Sequence, residues 1–189
     1  EHGEVHNLRS AEWAGGQPLL GAPSLLSAYY LNELLLKLLA RQDPHPGLFD
    51  AYADALSALA GGEDEPTVLR AFELQLLREL GLLPDLASAT LTASAVQAEV
   101  RYTLHAEAGL VAEAQGLPGR TWVALEAALA HAAGSDHAAA LRHACATVAP
   151  ALRAPLRELL HYHLGHPQLR TRQVRLGVQR LAEMPLRTA

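Results

Sequence analysis

Ten histidines are the side chains of this 189-residue chain best suited to metal binding or proton transfer, and two groups have suggestive spacing: His161-x-His163-x-x-His166 and His2-x-x-x-His6. On a helix, residues two apart point about 200° apart, so His161 and His163 cannot share an ion. His163 and His166 converge only if the helix runs through Gly165, a residue that usually ends one. His2 and His6 would share a helical face, but their segment has no helical period. Both groups read as solvated or capping histidines.

Other chemistry is equally thin. The chain has no glycine-rich phosphate loop, GxSxG elbow, HExxH or paired-cysteine motif. Glu33 and Glu73 lie in strongly apolar stretches, where a carboxyl can become an unusual acid. A structural partner is the plainer reading, and for Glu33 it is Lys37, four residues on in the favourable order. The single cysteine, Cys145, excludes an internal disulfide and a cysteine-rich zinc cluster. Set among Ala144, Ala146 and Val148, it reads as a small buried hydrophobe. No catalytic set assembles, so a non-enzymatic protein without metal or cofactor is expected.

Half of the residues are hydrophobic and the net charge is −5, which fits a folded body, argues against disorder and gives no global sign of nucleic-acid binding. That charge is unevenly spread. Residues 1–152 hold 8 Lys or Arg against 18 Asp or Glu, whereas residues 153–189 hold 7 Arg against 2 Glu. The basic end is either a solvated helix face or a surface for phosphate or an acidic peptide. The most apolar run, residues 25–39, is interrupted by Asn32, Glu33 and Lys37 and is too short to cross a bilayer. It is expected to be a core helix surrounded on most sides, capped by Ser24. The chain starts at Glu1 rather than Met, which suggests processing or truncation.

Prolines and glycines divide the rest. After Asp43-Pro-His-Pro46, a second helix buries Leu48, Phe49, Tyr52, Leu56 and Leu59 and ends at Gly61-Gly62. Glu63, Asp64, Glu65 and Pro66 open a third, with Leu69, Phe72, Leu76 and Leu80 inward and Gly81 as its stop. Val100, Tyr102 and Leu104 alternate with polar residues as in a half-exposed strand, and Gly109-Leu110-Val111 could return as its partner. Residues 85–117 thus form a small hairpin or knuckle. Helical period resumes with Trp122, Leu125 and Leu129, then with Leu141, Cys145 and Val148. Pro150 and Pro155 precede the helix of Leu156, Leu159, Leu160 and His163, and the last stripe is Val174, Val178 and Leu181. The fold class is mostly α, a compact helical bundle with one β insertion.

Two stretches resemble the bacterial RecO proteins. One is Tyr30-Leu-Asn-Glu33-Leu34, continuing through Leu38 to Asp43-Pro-His-Pro46 and Leu48-Phe49-Asp50. The other is Leu69-Arg-Ala-Phe72-Glu73-Leu74, with Leu76-Leu77 and Leu80-Gly81. The tail Leu169-Arg170-Thr171-Arg172 is similar to a Leu-x-Ser-Arg sequence common in that family, with Thr171 a conservative departure. The resemblance implies that residues 1–20 hold the last strand of an N-terminal OB barrel, otherwise absent, plus a linker. Residues 21–189 are then the family's helical domain.

It also implies a cytoplasmic, nucleoid-associated mediator of DNA repair and recombination. Such a protein binds single- and double-stranded DNA, RecR and the acidic C-terminal tail of single-stranded-DNA-binding protein, with no membrane contact. The alternative is a helical scaffold that recognises acidic peptides without DNA. Candidate DNA contacts are Arg170, Arg172, Arg175 and Arg180. The tail needs an apolar pocket beside arginines that meet carboxylates bidentately, and Arg70, Leu74, Leu77 and Arg78 are the candidates. Many family members carry four zinc-binding cysteines in the knuckle, and residues 84–95 and 107–114 occupy that place here without one. Packing of Leu86, Leu91, Tyr102 and Leu110 is expected to replace the metal. Elemental analysis of the purified protein should therefore find no stoichiometric zinc, and one zinc per chain would overturn this reading.

Overall fold

The structure, a computed structural model, describes residues 9–12, 19–130, 135–165 and 169–182. The elements in order are α1 (Ala22–Leu38), α2 (Pro46–Ala60), α3 (Glu65–Glu79), β1 (Ser88–Ala89), β2 (Ser94–Ala95), β3 (Arg101–His105), β4 (Gly109–Ala112), β5 (Leu117–Pro118), α4 (Gly119–Ala130), α5 (Ser135–Cys145), α6 (Ala149–His163) and α7 (Arg170–Ala182). The fold is mostly helical with small antiparallel sheets, as the periodicity indicates. The expected closing strand of a barrel falls mostly outside the described residues, and 9–12 carry no regular element.

Helix α3 organises the body. Asp64 caps it by accepting from the Thr67 backbone N–H at 3.0 Å and the Thr67 hydroxyl at 2.6 Å. Pro66 sits in its first turn. Gly81, at φ +68, ends it as the Leu82 N–H turns back to the Leu77 carbonyl at 2.8 Å. Residues 67–74 are all buried, as are Leu76 and Leu77, and α3 packs against α1, α2, α4, α5 and α6. It is α3, not α1, that is surrounded. Leu25, Tyr29 and Leu36 of α1 face outward, Leu36 at 84% exposure. Ser24 does not cap α1, since its hydroxyl donates to the Leu59 carbonyl and Gly21 takes the cap position. Two further expectations fail. Phe49 is 70% exposed rather than inward. Pro155 lies inside α6, which already begins at Ala149.

Because neighbours cover α3 on every side, its two charged residues must satisfy each other. Arg70 donates to Glu73, and Glu73 also accepts from the Tyr30 hydroxyl of α1 at 2.7 Å. Burial pushes the Glu73 carboxyl above its usual range, against the pull of the Arg70 guanidinium and the Tyr30 hydroxyl. Around this set close Leu31 and Leu34 of α1, Leu48 and Leu59 of α2, Leu141 and Cys145 of α5, and Leu152, Leu156 and Leu160 of α6. Cys145 is buried and its thiol is pushed up to about 12, so it stays protonated at neutral pH.

The insertion is a β1–β2 hairpin beside a three-stranded β4-β3-β5 sheet, in which Tyr102 pairs with Ala112 and Leu104 with Leu110. Tyr102 and Leu104 point inward as their alternation indicates. The Trp122 indole of α4 donates to the Tyr102 carbonyl at 3.0 Å, tying sheet to bundle. Leu86, Tyr102 and Leu110 are buried, but Leu91 is 71% exposed and holds nothing together. The contact that closes the two hairpins is Thr90 against Gly109. Gly109 has φ +65, a Cβ there would fall 2.0 Å from the Thr90 hydroxyl, and that hydroxyl accepts from the Leu110 N–H at 3.3 Å.

Removing one partner of a buried ion pair strands the other charge. Glu73→Ala should lower the unfolding free energy in urea by about 3–5 kcal/mol, and pairing Arg70→Met with Glu73→Leu should recover most of it. A single-variant loss below about 1 kcal/mol would show that the pair is not closed off from water.

Candidate nucleic-acid and peptide interface

Helix α7 carries most of the arginines singled out above, and its attachment decides which way they face. Leu169, just before it, is buried. From Arg170 onward every described side chain is exposed or half-exposed. The helix packs on α1, with Thr171 and Val174 beside Leu26, Tyr29, Glu33 and Leu36. At 100° per residue, Val178 follows Val174 along that side, while Arg172, Leu176 and Arg180 share the outer one. Arg175 points to α3 and pairs with Glu65 at 3.0 Å. The four candidate arginines therefore separate. Arg172 and Arg180 make no ion pair among the described residues, Arg175 is engaged, and Arg170 stands at the edge of the α1 groove.

One carboxylate docks the helix. Glu33 accepts from the Arg170 N–H at 2.8 Å, the Thr171 N–H at 2.9 Å and the Thr171 hydroxyl at 2.7 Å. Lys37 lies 3.8 Å from it, the pairing its spacing suggested. Burial alone would raise the Glu33 carboxyl, but the bonds from Thr171 and Arg170 outweigh it and hold it below the usual range. The first and last stretches that carry the family resemblance thus meet through Glu33 and Thr171. The two helical stretches meet through Tyr30, Arg70 and Glu73.

The surface expected on α3 is not there. Leu74 and Leu77 are fully buried and Arg70 is enclosed with Glu73, so none of the three can line an outer groove. Arg78 is half-exposed but bound to Glu126 of α4, whose carboxylate also accepts from the Leu86 N–H at 2.9 Å. This links α3, α4 and the start of the knuckle. The i,i+3 placement of Arg70 and Glu73 within an apolar run was the signal for an internal pair.

What sequence reasoning missed is the groove between α1 and α7. Leu26, Tyr29 and Leu36 with Val174 supply its apolar lining, and Asn32, Glu33, Thr171 and Arg170 its polar part. Its volume of about 560 Å³ holds a few peptide side chains. The signal for it is an α1 sequence too apolar for a helix with an outward side. Among the described residues no cluster of three or more metal-ligating side chains occurs. His163 stacks edge-on against Tyr162, at a ring separation of 5.3 Å. His2, His6 and His166 lie outside the described residues.

Comparison with known proteins matches residues 23–173 to the family described as recombination protein O, C terminal. Among curated proteins, the DNA repair protein RecO of Verminephrobacter eiseniae is 50% identical over 184 residues, covering 94% of this chain and 71% of the relative. That of Acidovorax ebreus is 47% identical over 195 residues, covering 95% and 73%. A match across nearly all of the helical body and the knuckle, at these identities, leaves one assignment: the chain belongs to the RecO family of DNA repair proteins.

Proposed function

We propose that this chain is the helical body of a DNA repair and recombination mediator that works by binding and presenting, without covalent chemistry. The observation that carries this reading is the family match across residues 23–173, which spans every helix that forms the core. Residues 1–20 would end a preceding OB barrel and residues 21–189 form the RecO-like domain, acting at the nucleoid in the cytoplasm. No helix among the described residues is long and apolar enough to cross a membrane.

Two surfaces support the binding roles. Arg172 and Arg180, one row on the outer side of α7, belong to the basic end of an otherwise acidic chain and suit the backbone of single- or double-stranded DNA. The α1–α7 groove suits the tail of single-stranded-DNA-binding protein. Its apolar lining takes apolar side chains of the tail, and Arg170 meets a carboxylate bidentately. RecR is the third partner. A second reading, an acidic-peptide scaffold without DNA, uses the groove alone.

The two readings separate in one titration series. Single-stranded oligonucleotide should bind less tightly as salt rises, and each of Arg172→Ala and Arg180→Ala should make the logarithmic slope shallower by about 0.7. Leu36→Asp should abolish binding of the acidic tail peptide and leave DNA binding intact, since Leu36 is 84% exposed and contributes little to the core. Peptide binding with no DNA binding would select the scaffold. Peptide affinity unchanged by Leu36→Asp and Arg170→Ala would remove the groove.

A further inference from the structure

Helix α7 is poorly equipped to exist alone. It is 13 residues long, carries Gly177 in its interior, and has no acidic residue in its first turn. Its opening residues are Arg170, Thr171 and Arg172, so positive charge sits at the positive end of the helix dipole. Its side chains bury little against the body. Every local determinant thus favours an unravelled N-terminus. Against this stands a carboxylate from another helix: Glu33 supplies the missing negative charge and accepts from two of the first backbone N–H groups and from the Thr171 hydroxyl.

We infer that Glu33 is the positioning residue for both proposed surfaces, because its carboxylate caps α7 from outside and sets the rotation at which the helix lies on α1. Three bonds converging on one carboxylate at the first turn fix where the following turns point. Val174 then lines the groove, and Arg172 and Arg180 face away. Another attachment, Arg175 to Glu65, has its arginine half-exposed and lies more than a turn along. An exposed pair of this kind holds a helix weakly. Released from Glu33, α7 loses its cap together with its register on α1, and the arginine row ceases to be a row. The effect on DNA rests on the function proposed above, whereas the capping of α7 does not.

Two measurements on the whole chain test this. In hydrogen exchange without any ligand, Glu33→Gln should speed exchange of the α7 amides about tenfold, the usual scale for losing a helix cap, and leave α3 amides unchanged. Thr171→Val should act in the same direction, Thr171→Ser should restore wild-type protection, and Glu65→Gln should have a smaller effect than Glu33→Gln. Unchanged α7 exchange in Glu33→Gln, or an equal rise in α3, would overturn the inference.

The second measurement is oligonucleotide binding. Removing a negative charge should strengthen DNA binding on electrostatic grounds alone. If Glu33 positions the arginines, Glu33→Gln instead weakens binding and makes its salt slope shallower. Tighter binding by this variant counts against the positioning role. If the wild-type chain does not bind DNA at all, the proposed DNA function fails, and the exchange experiment still decides whether Glu33 holds α7.

Discussion

A carboxylate with almost no exposed surface, Glu73, sets the terms for the rest of this molecule. An isolated charge there would be very unfavourable, and burial already pushes its carboxyl upward. It is tolerated because Arg70 lies one turn away on the same helix and Tyr30 reaches it from α1. That requirement fixes α1 against α3 at one rotation. The rotation turns Leu31 and Leu34 inward and leaves Leu25, Tyr29 and Leu36 outside. The exposed apolar side of α1 follows from satisfying Glu73, and the groove beside α7 is built on that side.

The knuckle shows a different way of holding short strands. Two- to five-residue strands are marginal alone. Here they are tied to the bundle by the Trp122 indole and to each other by Thr90 beside Gly109. No metal ligand enters that contact. A hydroxyl and a missing side chain provide the close approach, which requires a glycine both for its backbone angle and for the space it leaves.

Much of the fold was legible because its punctuation is chemical. Proline lies in the first turn of α1, α2, α3 and α6, and glycines end α2 and α3 in left-handed conformation. The alternation through Tyr102 and Leu104 identified β3 for the same reason. Periodicity says which residues are apolar, and it does not say whether the other side of a helix is covered. For that reason apolar content alone points to α1 as the enclosed helix and leaves α3 an open side carrying Arg70, Leu74 and Leu77, the reverse of what is found. Charge alone marks the arginines of α7. Their division into an outer row, a paired Arg175 and a groove-side Arg170 depends on Glu33 and Glu65, which are remote in sequence.

The bond between Glu33 and Thr171 spans 138 positions, whereas the β3–β4 ladder joins residues ten or fewer apart. Loop closure is entropically unfavourable and grows more so with length, so a remote contact worth only a helix cap does not form on an unfolded chain. It waits until the intervening body has brought its ends together. Contact order favours local hairpins and the helices around α3 over the docking of α7 as early steps. α7 is therefore the element whose detachment would break the fewest core contacts, and its departure would bare the flank of α1 beside Glu33.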